Sequence, residues 1–82
     1  MSPEEIRTML RRQPFLPFRL CLSDRRHYDI TRPELVWVGN RETHIGIMRQ
    51  SSSEFWDESV IVSNIHITTL EPIVPEIAPS VS

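Results

Sequence analysis

The chain has no lysine, a single cysteine (Cys21), two glycines and no long apolar run. Each shortage excludes something. One cysteine cannot form an internal disulfide, so the fold does not depend on an oxidising compartment. No basic segment leads into an apolar stretch, which is the pattern of a secretory leader, and nothing approaches the ~20 apolar residues of a membrane span. The expectation is a cytoplasmic protein without a membrane segment. With only Gly39 and Gly46 available, no glycine-rich loop can cradle a phosphate. Positive charge is also scarce: nine arginines meet eleven carboxylates, for a net charge of −2. Nucleic-acid-binding domains usually carry a basic face or stripe, so the balance disfavours that class. Arginine-only usage is as readily a matter of genome composition as of function, because the guanidinium fork matters only where a carboxylate or phosphate meets it.

What is present fits one small domain of 82 residues with 39% apolar content. A chain of this size buries about 60% of its unfolded surface, so the core is thin and self-association is one way to extend it. The expected domain spans residues 1–72. Residues 73–82 hold two prolines and two serines without periodicity and read as a disordered tail.

Ser2-Pro3-Glu4-Glu5 opens a helix. Ser2 can accept from the Glu5 amide while the Glu5 carboxylate accepts from the Ser2 amide, and Pro3 fits where no N–H is needed. Ile6, Met9 and Leu10 form one apolar stripe at helical spacing, and Pro14 stops the helix near Arg12. Pro14 to Phe18 is a stiff connector whose Phe15 pins the helix to the rest.

Alternating strands follow. Phe18, Leu20 and Leu22 share one face, Ser23 to Arg26 forms a tight turn without a glycine, and Tyr28 and Ile30 continue the alternation. Arg32-Pro33-Glu34 breaks the pattern. Leu35 to Val38 is apolar on both faces, Gly39-Asn40 marks a turn, and Thr43 to Met48 places Ile45 and Ile47 inward. Val60 to Val62 and Ile65 to Pro72 complete the series. The pattern gives an α+β, mainly β, fold class: a helix followed by a small five-stranded antiparallel barrel.

Candidates for chemistry are few. His27, His44 and His66 lie far apart, and no Cys or His pair has the spacing of a metal site, so no metal and no cofactor are expected. Cys21 sits on a strand without an evident basic partner, which reads as an inert thiol. Ser51-Ser52-Ser53 lacks the glycine turn of a nucleophile elbow. The chain does not read as an enzyme.

Candidates for contact are better supplied. Val36 and Val38 lie beside Leu35 and Trp37, and Ile61 lies between Val60 and Val62, so aliphatic residues occupy both faces of their strands. One barrel has one interior, and the second face needs a cover. Phe55 and Trp56 stand together among Glu54, Asp57 and Glu58; they serve either the core or an interface, where aromatics dominate. Val36, Val38, Phe55, Trp56 and Ile61 are therefore the candidate interaction surface. Arg25, Arg26, Arg32, Arg41 and Arg49 are the RNA contacts of the competing reading.

Two resemblances add to this. The segments Pro14-Phe15-Leu16-Pro17-Phe18-Arg19-Leu20-Cys21-Leu22-Ser23-Asp24-Arg25-Arg26 and His66-Ile67-Thr68-Thr69-Leu70-Glu71-Pro72, behind the Ser2-Pro3-Glu4-Glu5 helix start, resemble a family of short uncharacterised bacterial proteins. In that family the position of Arg25 is a glycine, and the family implies no activity. Leu20 to Tyr28 and Val60 to Leu70 are also similar to the first strand pair and last two strands of Sm-like proteins. That resemblance implies a helix on a five-stranded SH3-like barrel, ring assembly and RNA binding. Ile30 stands where those proteins have glycine, Leu35 to Val38 lacks their RNA-contacting aspartate and asparagine, and Ser63-Asn64 replaces their arginine-glycine pair. The departures fall on the RNA site more than on the fold. The functional expectation is a non-enzymatic module acting through protein contacts, as a homo-oligomer and possibly with another protein; the alternative is an Sm-like RNA-binding protein.

Overall fold

The computed structural model describes residues 1–47 and 58–73. Helix α1 spans Pro3–Leu10 and ends on Arg11 as its C-cap. The expected capping box is present: the Glu5 amide donates to Ser2 Oγ at 3.4 Å and the Ser2 amide donates to Glu5 Oε1 at 3.2 Å. Six strands follow: β1 Phe18–Leu22, β2 His27–Ile30, β3 Val36–Val38, β4 Glu42–Ile47, β5 Glu58–Ser63 and β6 Ile67–Pro72.

They form two three-stranded antiparallel sheets, in the order β2-β1-β6 and β3-β4-β5. The α+β, mainly β, class is as expected, with six strands in two sheets where the sequence pattern gives one five-stranded barrel. Two 3₁₀ turns make the difference, Pro33–Leu35 between β2 and β3 and Asn64–His66 between β5 and β6. The first falls on the Arg32-Pro33-Glu34 break in the apolar pattern, and each carries the chain from one sheet to the other. Pro33 sits in the first 3₁₀ turn, where its fixed φ and missing N–H suit a corner better than a ladder.

Ile6, Phe18, Leu20, Leu22, Ile30, Val36, Ile45, Val62 and Ile67 build the core between the sheets and the helix. Strand alternation places them: β1 buries Phe18, Leu20 and Leu22 and leaves Arg19 and Cys21 half-buried. Of the helix stripe, Ile6 is fully enclosed, while Met9 and Leu10 pack on the core from its margin. Phe15 meets Phe18 edge to face, with ring centroids 6.1 Å apart, so the connector that follows the helix is packed onto β1 and the core. Ile73, assigned to the tail from the sequence, is half-buried and its amide donates to the Pro17 carbonyl at 3.1 Å; the rest of the expected tail lies outside the described residues. No helix among the described residues is long and apolar enough to cross a membrane.

Candidate interaction surfaces

The β1–β2 hairpin turns on Arg25. The Arg25 amide donates to the Leu22 carbonyl at 3.1 Å and the Leu22 amide donates to the Arg26 carbonyl at 2.8 Å. Arg25 itself has φ 75°, the left-handed region in which a glycine is at ease and an arginine is not. Asp24 offsets part of this by accepting from the Arg26 amide at 3.0 Å and from Arg26 Nε at 2.7 Å. Those bonds, the backbone one foremost, hold the Asp24 carboxyl below its ordinary pKa.

The other hairpin, β3–β4, is held from below. Gly39 donates to the Glu42 carbonyl at 2.8 Å, and a Cβ at Gly39 would stand 2.9 Å from that same oxygen, so this close approach needs glycine. Buried Asn64 ties the turn to the second corner. Its Nδ2 donates to the Gly39 carbonyl at 2.9 Å, its Oδ1 accepts from Thr43 Oγ1 at 2.7 Å, and its amide donates to the Arg41 carbonyl at 2.8 Å. Asn64 has the donor and the acceptor that this corner requires.

Register decides what each sheet shows outward. On β3, Val36 pairs with Ile45 and Val38 with Thr43, so both valines share the inner face; Val36 is buried and Val38 half-buried against the core. Trp37 takes the outer face opposite His44, and His44 lies opposite Ile61 on β5. The outer surface of this sheet therefore carries the row Trp37–His44–Ile61, with Trp37 44% and Ile61 58% exposed. Of the residues picked from the sequence, Ile61 is on this row and Val36 and Val38 are not. Phe55 and Trp56 lie outside the described residues. Trp37 escaped the sequence reading because apolar residues on both faces of a short strand leave no period to read; the signal available was its register against His44.

The arginines do not converge. Arg25 and Arg26 occupy the β1–β2 turn, Arg32 follows the far end of β2, and Arg41 lies in the β3–β4 turn. Arg26 is paired with Asp24 at 2.7 Å and Arg32 with Glu34 at 3.2 Å. Arg49 lies outside the described residues.

The thiol and the imidazoles sit as follows. Cys21 is half-buried on the outer face of its sheet, opposite His27 on one side and Thr69 on the other. His66 Nδ1 stands 3.4 Å from Ser23 Oγ, while the His66 carbonyl accepts from the Ser23 amide at 2.8 Å. His44 Nε2 lies 3.2 Å from Glu42 Oε2. Among the described residues, no three His, Cys, Asp or Glu side chains group closely enough to hold a metal ion.

A cavity of about 530 Å³ opens between β2 and the end of β4. Ile30, Val36 and Ile45 contribute apolar walls, and His27, Asp29 and Arg32 contribute polar ones. A second hollow of about 400 Å³ lies beside Ser23, Arg26, Ile61 and His66. No protein-family model, curated protein or solved structure matches the chain.

Proposed function

We propose that the chain is a non-enzymatic binding and assembly module of the cytoplasm that works through protein contacts and forms a homo-oligomer. The observation that carries this reading is the outer row Trp37–His44–Ile61, which presents two large apolar side chains to solvent across three strands. Aromatic and aliphatic groups clustered on a sheet face are the chemistry of protein interfaces. The dispersal of the arginines, with Arg26 and Arg32 paired to carboxylates, favours it over RNA binding, which needs positive charge gathered along one track.

The fold reading that accompanies it is an open, helix-capped SH3-like or Sm-like barrel. Its support is the path of the chain: helix first, then β2 leading into β3 and β5 into β6 through one 3₁₀ turn each, so that two sheets enclose one core.

Sedimentation at protein concentrations up to about 100 μM tests the assembly reading, since that range lies far above a ~1 μM dissociation constant. Oligomers are expected, and Ile61→Asp shifts them to monomer while Arg26→Ala does not. A chain that stays monomeric throughout removes self-association. Submicromolar binding of single-stranded RNA near 150 mM salt, lost on Arg→Ala substitution, would put the Sm-like RNA reading in its place.

A further inference from the structure

The cavity between the sheets is bordered by the edge of β2 and the end of β4, and the hydrogen-bond alternation shows which main-chain groups β2 offers. In the β1–β2 hairpin the closing bond joins Leu22 and Arg26. Antiparallel pairs alternate between bonded and non-bonded, so Leu20–Tyr28 and Phe18–Ile30 are the bonded pairs of this register. His27 and Asp29, and Thr31 beyond them, turn their N–H and C=O groups away from β1. On that side β2 has no neighbour in its sheet among the described residues.

Facing it is the end of β4, the central strand of its sheet, beyond its pairing with β3. The Gly39–Glu42 bond makes Trp37–His44 the bonded pair of β3 and β4. The next β4 residue directed to that side is Gly46. Strand β3 begins only at Val36, opposite Ile45, because the chain turns off through Pro33–Leu35. Gly46, itself buried, lies beyond the end of β3 in the wall of the cavity, and having no side chain it leaves room there. His27, Asp29, Thr31 and Gly46 all line the cavity, with Ile30, Val36 and Ile45 as its apolar floor.

We propose that this gap binds an extended peptide segment of a partner protein, which adds as a strand along β2 and seats alternate aliphatic side chains on Ile30, Val36 and Ile45. An open strand edge recognises backbone in the extended conformation, and period-two side chains give the selectivity. The cavity of about 530 Å³ is within the usual size of a ligand site. Charge sets the polarity of the segment. Asp29 is engaged by Arg19, and Asp24 by Arg26, while Arg25, at the turn that opens β2, has no carboxylate partner among the described residues. The peptide end lying beside that turn is accordingly acidic. This inference deepens the protein-contact reading and uses a different surface from the Trp37–His44–Ile61 row.

The test is an amide-shift titration of the isotope-labelled full chain by nuclear magnetic resonance. The probe is a capped eight-residue peptide of alternating valine and threonine with one terminal glutamate. Saturable shifts at His27, Asp29, Thr31 and Gly46 are expected, with binding about tenfold weaker for the same peptide N-methylated along its backbone. Gly46→Val weakens binding similarly by filling the gap. Should that variant not fold, Arg25→Glu serves instead, reversing the preference between a terminal glutamate and a terminal arginine. No saturable shift by about 1 mM peptide, equal binding of the N-methylated probe, or shifts confined to β5 and β6 would overturn the proposal. Sedimentation of the same sample separates the two readings. A monomer that binds the peptide keeps this site and loses self-association; an oligomer that ignores the peptide loses this site alone.

Discussion

Both sheets contribute aliphatic side chains to one core, to which β1 adds Phe18, yet their outer faces have opposite chemistry. On the β2-β1-β6 sheet, Arg19 lies between Asp29 and Glu71, and Cys21 lies between His27 and Thr69. Arg19 Nε and Nη2 reach the two Asp29 oxygens at 2.8 and 3.3 Å. That cross-strand pair neutralises both of its charges. On the β3-β4-β5 sheet the corresponding row is Trp37–His44–Ile61, where two of three side chains are large and mainly apolar. Alternation alone would make both faces polar in a protein that works by itself. The difference teaches that one sheet meets solvent through paired charges, whereas the other leaves apolar area exposed.

Four substitutions break or sharpen the contrast. The largest effect falls on what the sheets share. Ile6 is fully enclosed, and Ile6→Ala is expected to lower unfolding free energy by about 2–5 kcal/mol. Urea denaturation followed by both far-ultraviolet dichroism and Trp37-sensitive fluorescence measures it, and both probes should move together. A loss below about 0.5 kcal/mol, the range of ordinary surface changes, would mean that the helix is not docked.

Asn64→Ala acts on the apolar sheet's side. It strands the Thr43 hydroxyl and the Gly39 carbonyl, at a cost of about 1–3 kcal/mol. Hydrogen exchange should speed up around the β3–β4 turn more than around the β1–β2 turn; equal protection in the two turns would contradict the clamp. Arg25→Gly acts on the charged sheet and with the opposite sign. Relief of the left-handed backbone at φ 75° is expected to stabilise the chain by about 1 kcal/mol, seen as a higher denaturation midpoint. An unchanged or lower midpoint would show that the turn holds no such strain.

The smallest effect concerns the charged ladder. The hydrogen bond from Arg19 holds the Asp29 carboxyl below its ordinary pKa, against a smaller opposing effect of burial. A carboxylate lowered on folding stabilises the native state fully above its unfolded pKa, about 3.9, and the contribution disappears as pH falls through the lower folded value. Asp29→Asn is thus expected to reduce the denaturation midpoint slightly at pH 7, with the gap from the parent closing as pH falls into the acid range. A gap that widens on acidification would reverse the assignment. Both partners are substantially exposed, so screening keeps the shift small.

Local pattern made much of this legible. The helix start was readable because Ser2, Pro3 and Glu5 each do a distinct job at a helix N-terminus, and the inward side of β1 because Phe18, Leu20 and Leu22 alternate with polar neighbours. The strained turn was half-readable, since the missing glycine at Arg25 was plain while the backbone's response to it was not. What escaped depends on pairing across the chain. Leu35 to Val38 offers no period, so which side Trp37 faces is set by β4. The split into two sheets rests on short 3₁₀ corners, and a break such as Arg32-Pro33-Glu34 carries too little pattern to show that the chain there enters a second sheet. Asn64 reads as a turn residue until Thr43, 21 positions earlier, is brought beneath it. The gap beside β2 exists only once both sheets are in place.

The Asn64 corner also bears on how the sequence can vary. Aspartate there would keep the acceptor for Thr43 but set a negative oxygen against the Gly39 carbonyl, and leucine would fill the space with neither group. Serine lacks the reach, and glutamine adds a methylene inside a closed site. A saturation library should therefore find position 64 among the least permissive in the chain, while its neighbour Ile65, 80% exposed, accepts nearly any residue. Hydrophobicity would rank the two the other way round: here a polar side chain in a short turn limits variation more tightly than the large aliphatic beside it.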